Sequence, residues 1–164
     1  MRKKLVALFA VLTLVLGMSL CVSAATSPAD APEAKKATVT AQSVTFNTAK
    51  DGTASTAKAT KKNVVIPRRI EVAGVKYKLT KFNKNSFGAK VRVIKLACPK
   101  GVKASRYTFA KKTFAKVNTK KVKFVVSKNM SKKEFKKFVK KLRKVGFKGT
   151  IKRSATAFAN IYVK

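Results

Sequence analysis

The sequence predicts an α+β domain: a short solenoid-like β-sheet with hairpins, closed by a C-terminal basic amphipathic helix. Three observations carry this. Residues 63–87 fit an apolar strand, an alternating hairpin and an aromatic loop into about 25 residues, the size of one solenoid repeat. Strand-like segments recur at 91–96, 121–126 and 150–152. Between the last two, the stretch Lys132–Lys144 changes its apolar period from two residues to that of a helix.

The whole chain sets the bounds. Its 164 residues suffice for one ordinary domain. The net charge is +35, with no histidine and five acidic residues. Beyond Lys58 the only carboxylates are Glu71 and Glu134. Chemistry that needs paired carboxylates, a histidine base or oxygen-ligated metal is therefore not expected, and neither is a cofactor. Hydrophobic content of 46% is ample for a core, so the charge is displayed on a folded scaffold. Such a charge repels itself and favours polyanionic partners: nucleic acid, anionic lipid or anionic wall polymer.

Residues 1–24 read as a secretory signal. Arg2, Lys3 and Lys4 form a positive start, residues 5–16 an apolar stretch, and Val22, Ser23 and Ala24 a small-residue cleavage site. The mature chain is expected to begin at Ala25 and to be secreted or held at the cell surface. Cys21 leaves with the signal, and Cys98 remains alone. A buried hydrophobe and an intermolecular disulfide are the readings open to it.

Residues 25–38 are rich in Ala, Pro and polar residues and read as a disordered spacer. A single domain is expected over 39–164. At its start Val44 and Phe46 alternate with polar neighbours, which suggests a strand over 39–46. Asp51-Gly52 is a turn signal, after which 53–59 pairs back. In 63–87, Pro67 lacks an N–H and ends a ladder. Ala73-Gly74 makes a two-residue hairpin with glycine at positive φ. That turn puts Ile70, Val72, Val75, Tyr77 and Leu79 on buried faces and sends Glu71, Lys76 and Lys78 to solvent.

Aligning Ile66, Ile94, Phe124 and Ile151 gives spacings of 28, 30 and 27 residues, near those of leucine-rich-type solenoid repeats. Phe82 and Phe87, then Tyr107, Phe109 and Phe114, lie in the loops between. They read as core anchors; the competing reading is stacking platforms for nucleobases or sugars. Thr-Phe-Ala-Lys occurs twice, at 108–111 and at 113–116.

These residues carry a resemblance. Val64 to Pro67, the hairpin ending Tyr77-Lys78-Leu79-Thr80, the loop from Phe82 to Phe87 and the strand 91–96 match, in order, the repeat of BspA-type leucine-rich bacterial surface proteins. Phe82 stands where that family has isoleucine and Ser86 where it has alanine, and the loop around Phe109 and Phe114 is irregular against its pattern. The likeness spans about 64–126. It implies a leucine-rich-repeat-like fold and a surface or secreted binding module, with no shared ligand and no catalytic residues to carry over.

The helix, expected over 132–145, opens with a capping box: Ser131 accepts the N–H of Glu134, and Glu134 reaches back to the N–H of Ser131. Met130 and Phe135 form a hydrophobic staple, and Gly146 is the left-handed cap with Phe147 beyond it. Phe135, Phe138, Val139 and Leu142 make one apolar stripe. Lys132, Lys133, Lys136, Lys137, Lys140, Lys141, Arg143 and Lys144 occupy the rest of the circumference and are the candidate polyanion contacts. Like charges at i,i+4 cost roughly 0.2–0.5 kcal/mol per pair, so the helix needs its stripe buried, at ~1.5–3 kcal/mol per apolar side chain. It either closes the domain or inserts into anionic membrane, because one stripe cannot serve both at once. Phe158, Ile161 and Val163 suggest a last strand.

The expected function is an exported non-enzymatic module held on anionic cell-wall polymer, with a host surface protein as a further possible partner and membrane contact less favoured. A membrane-active cationic protein and an extracellular nucleic-acid binder are the alternatives.

Overall fold

The computed structural model describes residues 34–41 and 43–158. The expected signal sequence, the greater part of the expected spacer, and Ile161 and Val163 lie outside the described residues. The described part is mixed: mostly strands in two sheets, with one α-helix.

The first sheet has the order β1 (Thr38–Ala41), β2 (Val44–Thr48), β3 (Thr53–Ala59), β6 (Val75–Phe82) and β5 (Arg69–Val72). The short β8 (Thr108–Phe109) also pairs with β6. β5 takes the first half of one edge of β6 and β8 takes the end of that edge. The second sheet is parallel throughout, in the order β10 (Thr150–Arg153), β9 (Lys123–Val126), β7 (Val93–Leu96), β4 (Asn63–Ile66). The inner faces of both sheets share one core, in which Phe46, Ile70, Leu79, Ile94 and Phe124 are all fully buried.

Parallel neighbours require crossovers, and three of them join the second sheet. Between β4 and β7 the chain runs through β5 and β6. Between β7 and β9 it runs through β8. Between β9 and β10 it forms α1 (Lys132–Lys144) instead. The helix is therefore the third crossover and not the end of the fold, since β10 follows it and pairs in parallel with β9.

The register corrects the expected alignment. Val64, Ile94, Phe124 and Ile151 are the residues in line, at spacings of 30, 30 and 27 residues, and Ile66 pairs with Leu96. Val64 and Ile66 both point inward, so an alignment by composition slides by two residues without changing the face.

The entry region also differs from expectation. Residues 39–46 are not one strand: Ala41 pairs with Val44, and Ser43 between them takes φ 70°. A non-glycine residue in that region carries no turn signature in the sequence. The end of the expected spacer is tied down. The Tyr77 hydroxyl accepts the Lys35 N–H at 2.8 Å, the Thr48 hydroxyl donates to the Lys35 carbonyl at 2.7 Å, and Thr38 is already in β1.

Two hairpins follow the sequence reading. Asp51 Oδ1 accepts the Thr53 N–H at 2.9 Å beside Gly52 at φ 71°. Val72 pairs with Val75 across Ala73 (φ 48°) and Gly74 (φ 78°). Two successive positive φ values match the right-handed twist of the strands.

The loop around Phe109 and Phe114 repeats the arrangement of the loop from Phe82 to Phe87. Residues 81–87 (KFNKNSF) and 108–114 (TFAKKTF) occupy equivalent places, 27 residues apart. Phe82 and Phe109 are in register. Asn85 and Lys112 both take left-handed φ, 57° and 63°. Ser86 Oγ donates to the carbonyls of Asn83 (2.6 Å) and Thr56 (3.0 Å). Thr113 Oγ1 does the same to Ala110 (2.7 Å) and Phe82 (3.2 Å). The Thr-Phe-Ala-Lys doublet is thus not the structural repeat. Its two copies sit at different stations of one loop.

Candidate polyanion-binding surface

Local chemistry builds α1 much as its sequence indicates. Ser131 Oγ accepts the Glu134 N–H at 3.2 Å. At the other end Gly146, at φ 84°, donates to the Arg143 carbonyl (3.0 Å), and Phe147 donates to that of Leu142 (3.1 Å). This pair of bonds satisfies carbonyls that the helix leaves open. Phe138 and Leu142 are fully buried, while Phe135 and Val139 are half-buried.

The stripe meets stacked rings. Phe82 lies on Phe109 with centroids 4.6 Å apart and planes at 11°, and Phe87 lies on Phe114 at 5.2 Å and 9°. Phe138 then abuts Phe109 edge-on at 5.6 Å, and Phe147 abuts Phe114 at 5.1 Å. Edge-on rings end a stack favourably because the positive rim of one meets the negative face of the other. Phe82, Phe87, Tyr107 and Phe114 are buried, so these faces are committed to the core and not offered to bases or sugars.

Of the candidate contacts, Lys132, Lys133, Lys136, Lys137, Lys140, Arg143 and Lys144 are exposed. Lys137 is also held at 2.9 Å by Glu134. Lys141 does not belong with them. Its Nζ donates to the carbonyls of Ala104 and Tyr107, both at 3.0 Å, and so caps the turn between them. Glu134 is likewise diverted. Its Oε2 accepts the Ala104 N–H at 2.7 Å, so the capping box closes only in one direction. A tertiary N–H won over the local one because Ala104 is buried and its amide needs a partner there. That bond, followed by the Lys137 contact, holds the Glu134 carboxyl below the usual range.

The fold adds cations that the helix-based reading missed. On the outer face of the second sheet, Lys95, Lys123 and Lys152 are exposed. Lys95 is flanked in register by Val65 and Val125, and Lys123 by Val93 and Thr150. Lysine never sits directly beside lysine there, which avoids like charges on adjacent strands. Elsewhere Thr60, Lys61, Lys62, Lys90 and Arg92 line an open hollow of about 640 Å³. A lysine between apolar neighbours, as in Ile94-Lys95-Leu96 and Val122-Lys123-Phe124, was the sequence signal for the sheet lysines. Nothing local marked the hollow.

Cys98 is a buried free thiol, and burial pushes it up to about 11. An intermolecular disulfide needs the sulfur at the surface, and this one is beneath it. Among the described residues, no three His, Cys, Asp or Glu side chains gather where a metal could be held, and no helix is long and apolar enough to cross a membrane.

No family model, curated protein or solved structure matches this chain.

Proposed function

We propose that this chain is an exported, non-enzymatic binding module, held at a cell surface by charge contact with anionic wall polymer. Its body is read as a short leucine-rich-type solenoid. The parallel in-register strands and the loop repeated 27 residues apart support that reading. In it α1 replaces a sheet strand in the last crossover and closes the stack of rings.

One observation carries the functional reading. The apolar stripe of α1 is spent on the core through Phe138 and Leu142, while seven of the candidate cations on the same helix remain exposed. That favours a surface polyanion over membrane insertion, which needs the same stripe. Lysines predominate, so contacts are point charges with little discrimination and steep salt dependence.

The test is a graded salt wash of the producing cells' envelope, with each fraction blotted for the protein. Release at moderate salt is expected. Retention at about 1 M salt, where the screening length is about 3 Å, overturns electrostatic holding. Recovery with the lipid fraction or with extracellular nucleic acid replaces the wall polymer with those partners.

A further inference from the structure

An exposed sheet edge is a row of unpaired backbone groups that can recruit another strand, and charge or proline on the edge prevents it. Three edges of this fold are guarded in that way. In the first sheet β5 carries Arg69 and Glu71. In the second, β10 carries Lys152 and Arg153, and β4 is followed by Pro67, which has no N–H. At the short β8, Lys141 holds the carbonyl of Tyr107, the residue just before the strand.

The edge strand β1 has no such guard. It reads Thr-Val-Thr-Ala. Residues 37–49 hold no charged side chain, in a chain of net charge +35. Its outer backbone groups are open. The Thr48 N–H donates to the Ala37 carbonyl at 2.8 Å, and these two residues continue the ladder in which Val39 faces Phe46 and Ala41 faces Val44. Bonded pairs alternate along an antiparallel ladder, so Ala37, Val39 and Ala41 are the residues bonded to β2. The N–H and C=O of Thr38 and Thr40 therefore point the other way, and among the described residues no strand takes them. Both threonines are exposed, and Val39 between them is half-buried.

We propose that this edge pairs with the same edge of a second copy, antiparallel about a two-fold axis. Of the registers that the bonding phase allows, the one centred on Val39 keeps every bond between threonines. In it Thr38 of each copy exchanges both backbone bonds with Thr40 of the other, and threonine directly opposite threonine is a favourable pair. The two Val39 side chains meet at the axis in the closer, non-bonded kind of pair, which covers surface that the single copy leaves open. Lys36 falls opposite the β1–β2 turn and not opposite another lysine. A two-fold contact presents one patch to itself, and this patch suits that use because it carries no charge to repel its own copy. An acidic partner is drawn instead to the lysine-bearing faces. Repulsion between the two bodies remains at longer range, so pairing strengthens as salt screens it. Retention on a polyanion weakens with salt, so the two properties move in opposite directions and neither rests on the other.

Sedimentation equilibrium of the protein purified from its producing cells, between about 10 μM and about 1 mM and at about 0.15 M and about 1 M salt, tests this. A monomer–dimer equilibrium that shifts toward dimer at the higher salt is expected. Two short strands bury less than the ~1,600 Å² of a standard interface, so the dimer is expected to dissociate on dilution. The variant Thr38→Lys/Thr40→Lys sets lysine opposite lysine at exposed positions and is expected to weaken the dimer about tenfold or more, with the parent's circular dichroism kept. Two single cysteine variants read the register. In Val39→Cys the new thiols meet at the axis, within the ~4.4–6.8 Å Cα separation of a disulfide. In Thr38→Cys they are offset by two residues, ~6.8 Å along the strand. On mild oxidation Val39→Cys is expected to cross-link the faster, although Thr38 is the more exposed, and the buried Cys98 to contribute nothing. A parent that stays monomeric at every concentration, a double-lysine variant that dimerises as tightly as the parent, or faster cross-linking of Thr38→Cys overturns the proposal and leaves polymer retention standing.

Discussion

Glu134 accepts the backbone N–H of Ala104 at 2.7 Å, 30 residues away in sequence. Lys141, two helical turns further along the same face of α1, takes the carbonyl of that same Ala104 at 3.0 Å. One acid and one base of the helix thus grip both ends of a single residue in the short 3-10 turn Ala104–Arg106. The helix is fixed to the rest of the fold through polar contacts as well as through its apolar stripe.

This grip predicts an acid-sensitive contact. The Ala104 N–H, and after it Lys137, lowers the Glu134 carboxyl from its usual 4.5. A carboxyl lowered on folding stabilises the fold fully above its unfolded value and loses that contribution as the pH falls through its folded one. Thermal melts of the parent and Glu134→Ala across an acid series are expected to show the parent more stable near neutrality and the gap closing below about pH 4.5. A gap independent of pH sinks the assignment.

The two faces of α1 separate stability from charge. Phe138 touches Tyr107, Phe109 and Phe124. Phe138→Ala is expected to cost about 3–5 kcal/mol in urea unfolding. Replacing Lys132, Lys133, Lys136 and Lys140 by glutamine is expected to be neutral or slightly stabilising, because several i,i+4 repulsions vanish at ~0.2–0.5 kcal/mol each. The same replacement should flatten the salt dependence of polyanion binding. A large stability loss from the glutamines refutes the exposed placement.

Ser86 is fully buried, and the fold uses its hydroxyl. Its buried hydroxyl accepts from Thr56 Oγ1 at 3.1 Å and donates to two carbonyls. Ser86→Ala leaves those groups short of partners at about 1–3 kcal/mol. Chemical denaturation measures it, and a neutral result means the carbonyls find other donors.

Gly149 has no room for a side chain. A Cβ there runs into the carbonyl oxygens of Val122 and Thr119, both backbone atoms. Gly149→Ala is expected to destabilise by about 1–3 kcal/mol or more. A midpoint matching the parent's shows that the β9 approach is softer than drawn.

Cys98 is expected to ignore thiol reagents in the folded protein and to react at once in denaturant. It is 1% exposed, and burial lifts its thiol to about 11, so little thiolate exists near neutrality. Rapid labelling under native conditions contradicts the burial.

The sequence by itself determined the parts that depend on neighbours in the chain. Ser131, Gly146 and the Phe138–Leu142 spacing were enough to place α1, because caps and periodicity act within a few residues. Asp51-Gly52 and Ala73-Gly74 placed two hairpins for the same reason. Alternation in the hairpin marked Ile70, Tyr77 and Leu79 as facing inward.

Tertiary structure decided the rest. Only the register put Val64, and not Ile66, beside Ile94, since both choices bury the same face. Only the crossovers made α1 a link between β9 and β10, and only they brought the KFNKNSF and TFAKKTF loops into superposition. A repeat of 27 residues with little more than two phenylalanines, a lysine and a hydroxyl in common is faint until the rings stack. The polar assignments changed most. Glu134 read as the acid of a capping box and Lys141 as a helix-surface charge, but a buried amide and its carbonyl on a distant turn claimed them, because an unpaired buried peptide group costs more than a solvated charge gains by staying free.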